Sequence, residues 1–284
     1  MDYYTKRANF FSRAAFETET SLADPIVTLT TDFGNNDHLV GAMKGAILNI
    51  NPAARIVDIN HNVTPFDILD GALSLANAYK YFPSRTIHVI IVDPGVGTDR
   101  RPILVSGEKQ FFVAPDNGVL SVIYEREPCT VRHITAAHYF LNPVSPTFHG
   151  RDIFAPTAGW LSKTLQTEAF GEVITDFVRF TMPKSKSDGQ AVKGVVLRVD
   201  AFGNLMTNLT EEDLPPASVD GGPIRLAVNG KQILKYCRTF AAGNPSEPIA
   251  VLGSAGYLEI AVNRGSAART LGVNRGAEVT LDLS

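Results

Sequence analysis

Residues 86–101 read TIHVIIVDPGVGTDRR. The first half is a β-branched run with no polar alternation after His88, the pattern of a strand covered on both faces. Strands of that kind belong to parallel sheets flanked by helices. The run ends in Asp93 and enters a Pro-Gly-Val-Gly turn that closes on Arg100 and Arg101. It is no P-loop, because no Gly-Lys-Ser/Thr follows, and no dinucleotide fingerprint, because no third glycine opens a helix. On its own terms it is either a tight turn needing positive φ or a loop that carries chemistry.

The flanking sequence repeats the theme. PIVTLTTD (25–32) predicts a buried strand ending in an acid, followed by a helix capped near Asn36 or Asp37, with Leu39, Val40, Met43, Ala46, Ile47 and Ile50 on one face. ARIVDI (54–59) is a second strand. Thr64-Pro65-Phe66-Asp67 then predicts a helix with Thr64 as N-cap, running to about Tyr81. Two such crossover units imply a mostly parallel sheet with helices on both faces. RPILVSGEKQFFVAP (101–115) predicts a hairpin, and Asp116-Asn117-Gly118 and residues 151–165 predict further helices.

The polar stretch TMPKSKSDGQA (181–191) marks a domain boundary. Beyond it come short strands with an Asn229-Gly230 hairpin signal, which predict a small β-sandwich or barrel. The expected organisation is a polar extension over 1–24, an α/β domain over 25–182, a linker over 183–192 and a C-terminal β-barrel-like domain over 193–284.

Composition narrows the functional classes. The 284 residues are 44% hydrophobic and 19% charged, as in ordinary globular proteins. A net charge of -3 leaves no basic excess for phosphate neutralisation and argues against nucleic-acid binding. No apolar stretch approaches the roughly 20 residues of a membrane span, and the N-terminus lacks a signal-peptide core. Cys129 and Cys237 stand far apart without metal-like spacing, as reduced thiols of a cytoplasmic protein do. His38, His61, His88, His133 and His138 do not pair at metal-ligand spacing, so no metal is expected.

Three places could carry chemistry. Ligands of open parallel sheets bind beyond the carboxyl ends of the strands, where Asp32 and Asp93 fall. Each is a helix cap or turn former unless the two share a site. Thr147-Phe148-His149-Gly150-Arg151-Asp152 places a histidine between a Pro-rich loop and a helix start. Asp200-Ala201-Phe202-Gly203-Asn204, with Thr207-Asn208 beyond, is either a β-turn or a set that binds an amine, stacks on a ring and reads a base edge.

TDFG-x-x-D, TPFD, VDPGVGT-x-R, FHGRD, FGN-x-x-TN and GS-x-GYLEIAVN occur in that order from Thr31 to Asn263. Together they make the chain resemble the S-adenosyl-L-methionine (SAM) hydroxide adenosyltransferases, or SAM hydrolases, relatives of the fluorinase and chlorinase enzymes. The resemblance runs from about Ile26 to the C-terminus. It implies an α/β domain, a β-barrel-like domain and a homotrimer with active sites between subunits. It implies cleavage of the C5′–S bond of SAM by water, giving adenosine and methionine, with no cofactor.

By position, Asp93, Arg100 and His149 match the water-activating set, and Asp32 the aspartate holding the ribose hydroxyls. Phe66 stands where the halogenases carry a tryptophan over the ribose. Asp37, Asp200 and Ser254 match contacts to the methionine end, and Phe202 and Asn204 match adenine contacts. Gly150 occupies the place of a halide-binding serine, and the hairpin through Gly107 and Glu108 lacks the fluorinase insertion; both favour water over halide. Ala255 stands where the fluorinase has an arginine. A SAM-dependent halogenase and a non-catalytic SAM or adenosine sensor remain the alternatives. A methyltransferase is disfavoured, because no glycine-rich turn follows the first strand.

Overall fold

The computed structural model describes residues 24–215 and 223–283. The expected polar extension, but for Asp24, lies outside the described residues. The order through the first part is β1 (Ile26–Thr31), α1 (Leu39–Ile50), β2 (Arg55–Asn60), α2 (Ile68–Ala76), β3 (Ile87–Ile91), β4 (Pro102–Ser106), β5 (Phe111–Pro115), α3 (Ser121–Arg126), β6 (Thr130–His133), α4 (Ala155–Thr164) and β7 (Val173–Ile174). The sheet order is β2-β1-β3-β5-β4-β6-β7. Four strands run parallel, β2-β1-β3-β5, and the hairpin strand β4 continues the sheet antiparallel with β6 and β7.

Strand alternation divides the side chains between two cores. Val27, Leu29, Val89 and Leu104 meet α1 and α4 on one face. Ile90, Ile103, Val105 and Phe112 meet α2 and α3 on the other. Every residue of β3 is buried, as its unbroken β-branched pattern requires.

His88 points into the second face. Its Nδ1 lies 2.7 Å from Thr28 Oγ1, and its ring stacks on Phe112 with centroids 5.3 Å apart. Burial pushes its pKa down to about 4. The folded protein therefore holds a neutral imidazole that the unfolded chain protonates below about pH 6.5. Stability is lost as pH falls from about 6.5 to about 4, at up to about 1.4 kcal/mol per pH unit from this one group. Urea unfolding of wild type and His88→Leu across that range checks this: the wild type should lose more stability on acidification. Parallel losses in the two proteins would remove His88 from the account.

The second part contains β8 (Lys186–Ser187), β9 (Ala191–Val199), β10 (Leu205–Thr210), β11 (Pro223–Val228), β12 (Lys231–Cys237), β13 (Pro248–Leu252), β14 (Tyr257–Val262), α5 (Ala267–Leu271) and β15 (Glu278–Asp282). The strand order β10-β14-β13-β12-β11-β15-β9 closes through a β10–β9 pairing into a barrel, with β8 appended to β9. Asn229 and Gly230, at φ 48° and 70°, form the β11–β12 turn that their identity demands. The barrel docks on the α2/α3 face. Leu197 and Met182 join the apolar cluster of Leu73, Ile90 and Phe112. Arg198 Nε lies 3.0 Å from Asp70 Oδ1, and Arg275 pairs with Asp67.

Helix starts differ from the sequence reading in instructive ways. Asp67, not Thr64, caps α2, its carboxylate accepting from Asp70 N at 3.0 Å. Phe66 takes φ 65°, incompatible with a helix. Asp32 Oδ2 accepts its N–H at 2.9 Å and so stabilises that left-handed turn from across the sheet edge. α2 ends at Ala76, and residues 79–81 form a separate 3₁₀ turn. α1 begins without a side-chain cap, because Asp37 turns to the backbone N–H and ring of His38 instead.

Candidate active site

β1 and β3 are adjacent and parallel, with Thr31 opposite Ile91. Asp32 and Asp93 therefore leave the same carboxyl edge side by side, where an open sheet presents its ligands. Burial raises the Asp32 pKa above the usual carboxylate range; its bond from Phe66 N opposes the rise, and Asp93 adds to it.

Beyond Asp93 the chain turns tightly. Thr98 donates to Gly95 O from both its N–H and its hydroxyl. Gly97 takes φ 80°, and a Cβ there would sit 2.3 Å from Pro146 O. This close backbone approach clamps the 93–100 loop against the 142–147 loop that delivers His149. Asp152 fixes that second loop by accepting from Ser145 N at 2.8 Å.

The two loops bring Asp93, Arg100 and His149 into one chain of contacts. Arg100 Nε lies 2.9 Å from both Asp93 oxygens, and Nη2 contacts Asp93 Oδ2 and, at 3.1 Å, His149 Nδ1. The guanidinium lies 5.0 Å from the centre of the Phe154 ring. Its side chain is 9% exposed and that of Asp93 4%. Arg100 Nη1 is buried with no partner among the described residues, leaving a cationic donor for an incoming group.

Arginine only donates, so His149 Nδ1 accepts and the neutral ring carries its proton on Nε2. Burial first, and Arg100 second, lower the His149 pKa. The site thus holds a neutral imidazole, a guanidinium and a carboxylate in contact. Gly150 follows directly, and a Cβ there would lie 3.2 Å from the Phe148 ring and 3.4 Å from Met43 Sδ.

The remaining candidate residues form a second group on the barrel. Asp200 Oδ1 accepts from Phe202 N at 2.9 Å and Asn204 N at 2.8 Å, and Oδ2 from Asn204 Nδ2 at 2.9 Å. It organises its own β-turn while holding Asn204 in place. Phe202 is 78% exposed and Asn204 is buried. Both line a cavity of about 440 Å³ with Phe240, Val262, Arg264 and Arg269. Ser254 is exposed in the β13–β14 turn.

Thr207 and Asn208 belong to β10 and are structural. Thr207 donates to Leu258 O, and Asn208 bridges Val195 N and Pro183 O. On the other part of the chain, Asp37 is exposed, and Phe66 is 73% exposed. Among the described residues no hydrogen bond or ion pair joins the Asp93 group to the Asp200 group. The structure assembles the catalytic candidates and leaves the ligand-holding candidates in separate places. Sequence reasoning missed Phe154 beneath Arg100 and the Pro146 clamp. Neither residue type announces such a role, and only the fold brings them near.

Comparison with known proteins adds a second line of evidence. Residues 27–171 match the SAM hydroxide adenosyltransferase N-terminal domain and residues 194–280 its C-terminal domain. The chain is 34% identical over 273 residues to an (R)-S-adenosyl-L-methionine hydrolase of Salinispora tropica, covering 89% of this chain and 95% of that protein. It is 29% identical over 290 residues to a fluorinase of Actinoplanes sp., covering 91% and 97%. The crystal structure of an uncharacterized conserved protein from Thermotoga maritima superposes with a TM-score of 0.83 at 37% identity, covering 90% of this chain and 99% of that one. Sequence, fold and the loop geometry beyond β3 agree, and the chain belongs to the SAM hydroxide adenosyltransferase family.

Proposed function

We propose that this chain hydrolyses SAM at the C5′–S bond, giving adenosine and L-methionine. The observation that carries the reading is the buried Asp93–Arg100–His149 contact chain at the carboxyl edge of the sheet. The sulfonium of SAM leaves as a neutral thioether, so no acid is needed for the leaving group. The chemical task is to hold a water in line with the bond and favour its hydroxide character. Arg100 offers the buried Nη1 donor to that oxygen, and the Asp93 carboxylate, or His149 through Nδ1 once Arg100 turns from it to the water, takes the proton, help worth about 10²–10⁴-fold. Holding the reactants in line supplies several kcal/mol more.

In this reading Asp32 accepts from the ribose diol, and Phe66 covers the sugar. Phe202 and Asn204 hold adenine, and Asp37, Asp200 and Ser254 hold the amino-acid end. No metal or cofactor takes part. The separation of the two groups within one chain, and the exposure of Phe66 and Phe202, support a site completed by a neighbouring subunit, and the assembly in this reading is a cytoplasmic homotrimer. Each active site then lies between the α/β domain (25–182) of one subunit and the barrel domain (193–284) of a neighbour. Burying the two rings there is worth about 1.5–3 kcal/mol apiece.

Water is favoured over halide. A serine side chain at 150 would press on Phe148 and Met43, and the β4–β5 turn closes directly through a bond from Gly107 N to Gln110 O. The test is incubation with SAM in H₂¹⁸O without added metal, with and without chloride or fluoride, read by chromatography and mass spectrometry. Adenosine labelled at its 5′ oxygen, plus unlabelled methionine, is the expected result. A 5′-halo-adenosine would move the chain to the halogenases, and intact SAM would overturn the proposal.

A further inference from the structure

The β9 turn carries more charge than the residues assigned so far. Arg198 on β9 pairs with Met206 on β10, and Met206 pairs in turn with Glu259 on β14. Directly paired residues of antiparallel strands share a face, so Arg198, Met206 and Glu259 form one row across three strands. The row lines a cavity of about 250 Å³ with Asp200, Phe202 and Asn204. Phe202 and Asn204 also line the larger cavity. The two spaces adjoin across the residues assigned to adenine.

Glu259 is the unusual member. It is partly buried, and among the described residues no hydrogen bond or ion pair engages its carboxylate. Its neighbours make this costly: burial, and then the negative charge of Asp200, raise its pKa. The carboxylate also packs onto the β13–β14 turn, where a Cβ on Gly253 would lie 2.1 Å from Glu259 Oε1. It therefore sits between Asp200 and the turn that carries Ser254. A partly buried carboxylate with a like-charged neighbour is stabilised by a cation that enters with a ligand. Arg198 supplies the opposite charge on the same wall: Asp70 meets its Nε, and a guanidinium has further donors for a second anion.

We infer that Arg198 and Glu259 are specificity-determining residues that read the amino-acid end of SAM. Glu259 takes the α-ammonium together with Asp200, and Arg198 takes the α-carboxylate where Ala255 offers no side-chain donor. Met206, polarisable and unbranched, lies between them against the aliphatic chain. The wall is net negative, with Asp70, Asp200 and Glu259 against Arg198, and complements a substrate that carries a sulfonium and an ammonium against one carboxylate. This inference rests on SAM being the substrate, and it assigns a pocket that the catalytic trio does not touch.

The test compares SAM with decarboxylated SAM, which keeps the ammonium and lacks the carboxylate, on the full chain. Arg198→Met should raise the KM for SAM about tenfold or more, the scale of a lost charge-assisted hydrogen bond, and leave the KM for decarboxylated SAM within about twofold. Glu259→Gln should raise both by similar factors. Neither should alter adenosine affinity, measured by calorimetry, which reports on the fold and the nucleoside pocket. Should Arg198→Met lose adenosine binding, Arg198→Gln, which keeps a donor toward Asp70, carries the same comparison.

Equal effects of the Arg198 variant on both substrates, or an unchanged KM in Glu259→Gln, would overturn the inference. Wild-type enzyme that binds SAM and releases no adenosine would instead overturn the hydrolase reading. The same two-ligand comparison, run as a binding titration, would then decide the pocket separately.

Discussion

Arg100→Met should lower kcat for SAM about 10³-fold while SAM affinity changes by less than about threefold. The buried guanidinium touches both Asp93 and His149, and methionine fills its space without a charge or a donor. Removing one preorganised donor from a developing oxyanion typically costs about 10²–10³-fold. Here the same change also unties His149 from its tautomer and leaves a nearly buried carboxylate unpaired. In the proposed reading the adenosine and methionine ends are held elsewhere, so the loss falls on the chemical step.

The wild-type profile carries a second signature. His149 must be neutral to accept from Arg100, and its pKa is depressed, so the acid limb of kcat/KM should lie below about pH 6.5, the unperturbed histidine value. Stopped assays across pH, with SAM titrations on the variant, check both. A proportional loss of affinity and turnover, or an acid limb at or above that value, would remove the trio from the chemical step.

Gly97→Ala should lower kcat about 100-fold from a site with no functional group at all. The left-handed backbone costs an alanine about 1–2 kcal/mol, and the new Cβ would lie 2.3 Å from Pro146 O, a backbone atom with no rotamer to change. The overlap is relieved only by parting the 93–100 loop from the 142–147 loop; the first carries Arg100 and the second leads into His149. Displacements of about 1 Å in a catalytic constellation cost about 10²-fold. A thermal melt beside the kinetics separates this from unfolding: most of the protein should remain folded at assay temperature. Wild-type turnover in Gly97→Ala would show that the loop contact does not position the trio.

What could be read from the sequence, and what could not, follows the range of the interactions. β3 and the β4–β5 hairpin are local patterns, and so is the Asn229-Gly230 turn; each was legible because neighbouring residues decide it. Asp32 and Asp93 were legible as site candidates because strand ends in parallel sheets are where ligands go. The start of α2 was not, because Phe66 adopts φ 65° with help from Asp32, 34 residues earlier. β10 was hidden because its polar residues looked chemical; Thr207 and Asn208 are spent on backbone groups of distant strands. The 49-residue separation of Arg100 and His149 is bridged by the contact between Gly97 and Pro146, which no local pattern encodes. The Arg198–Met206–Glu259 row likewise exists only once β9, β10 and β14 are in register.

The β10–β9 pairing that closes the barrel has a consequence for how copies of this chain recognise one another. A closed barrel has no unpaired strand edge on which a neighbour could extend the sheet through its backbone; among the described residues only the two-residue β8 stands outside the ring. Backbone-templated growth is indifferent to side-chain identity and hard to stop. Contact through the barrel wall must instead be specified side chain by side chain, by groups such as Phe202 and Phe240. Such an interface is finite and can be rewired by point substitution, so in the proposed assembly the partner that completes the site and the ligand that fills it would be chosen by the same small set of residues.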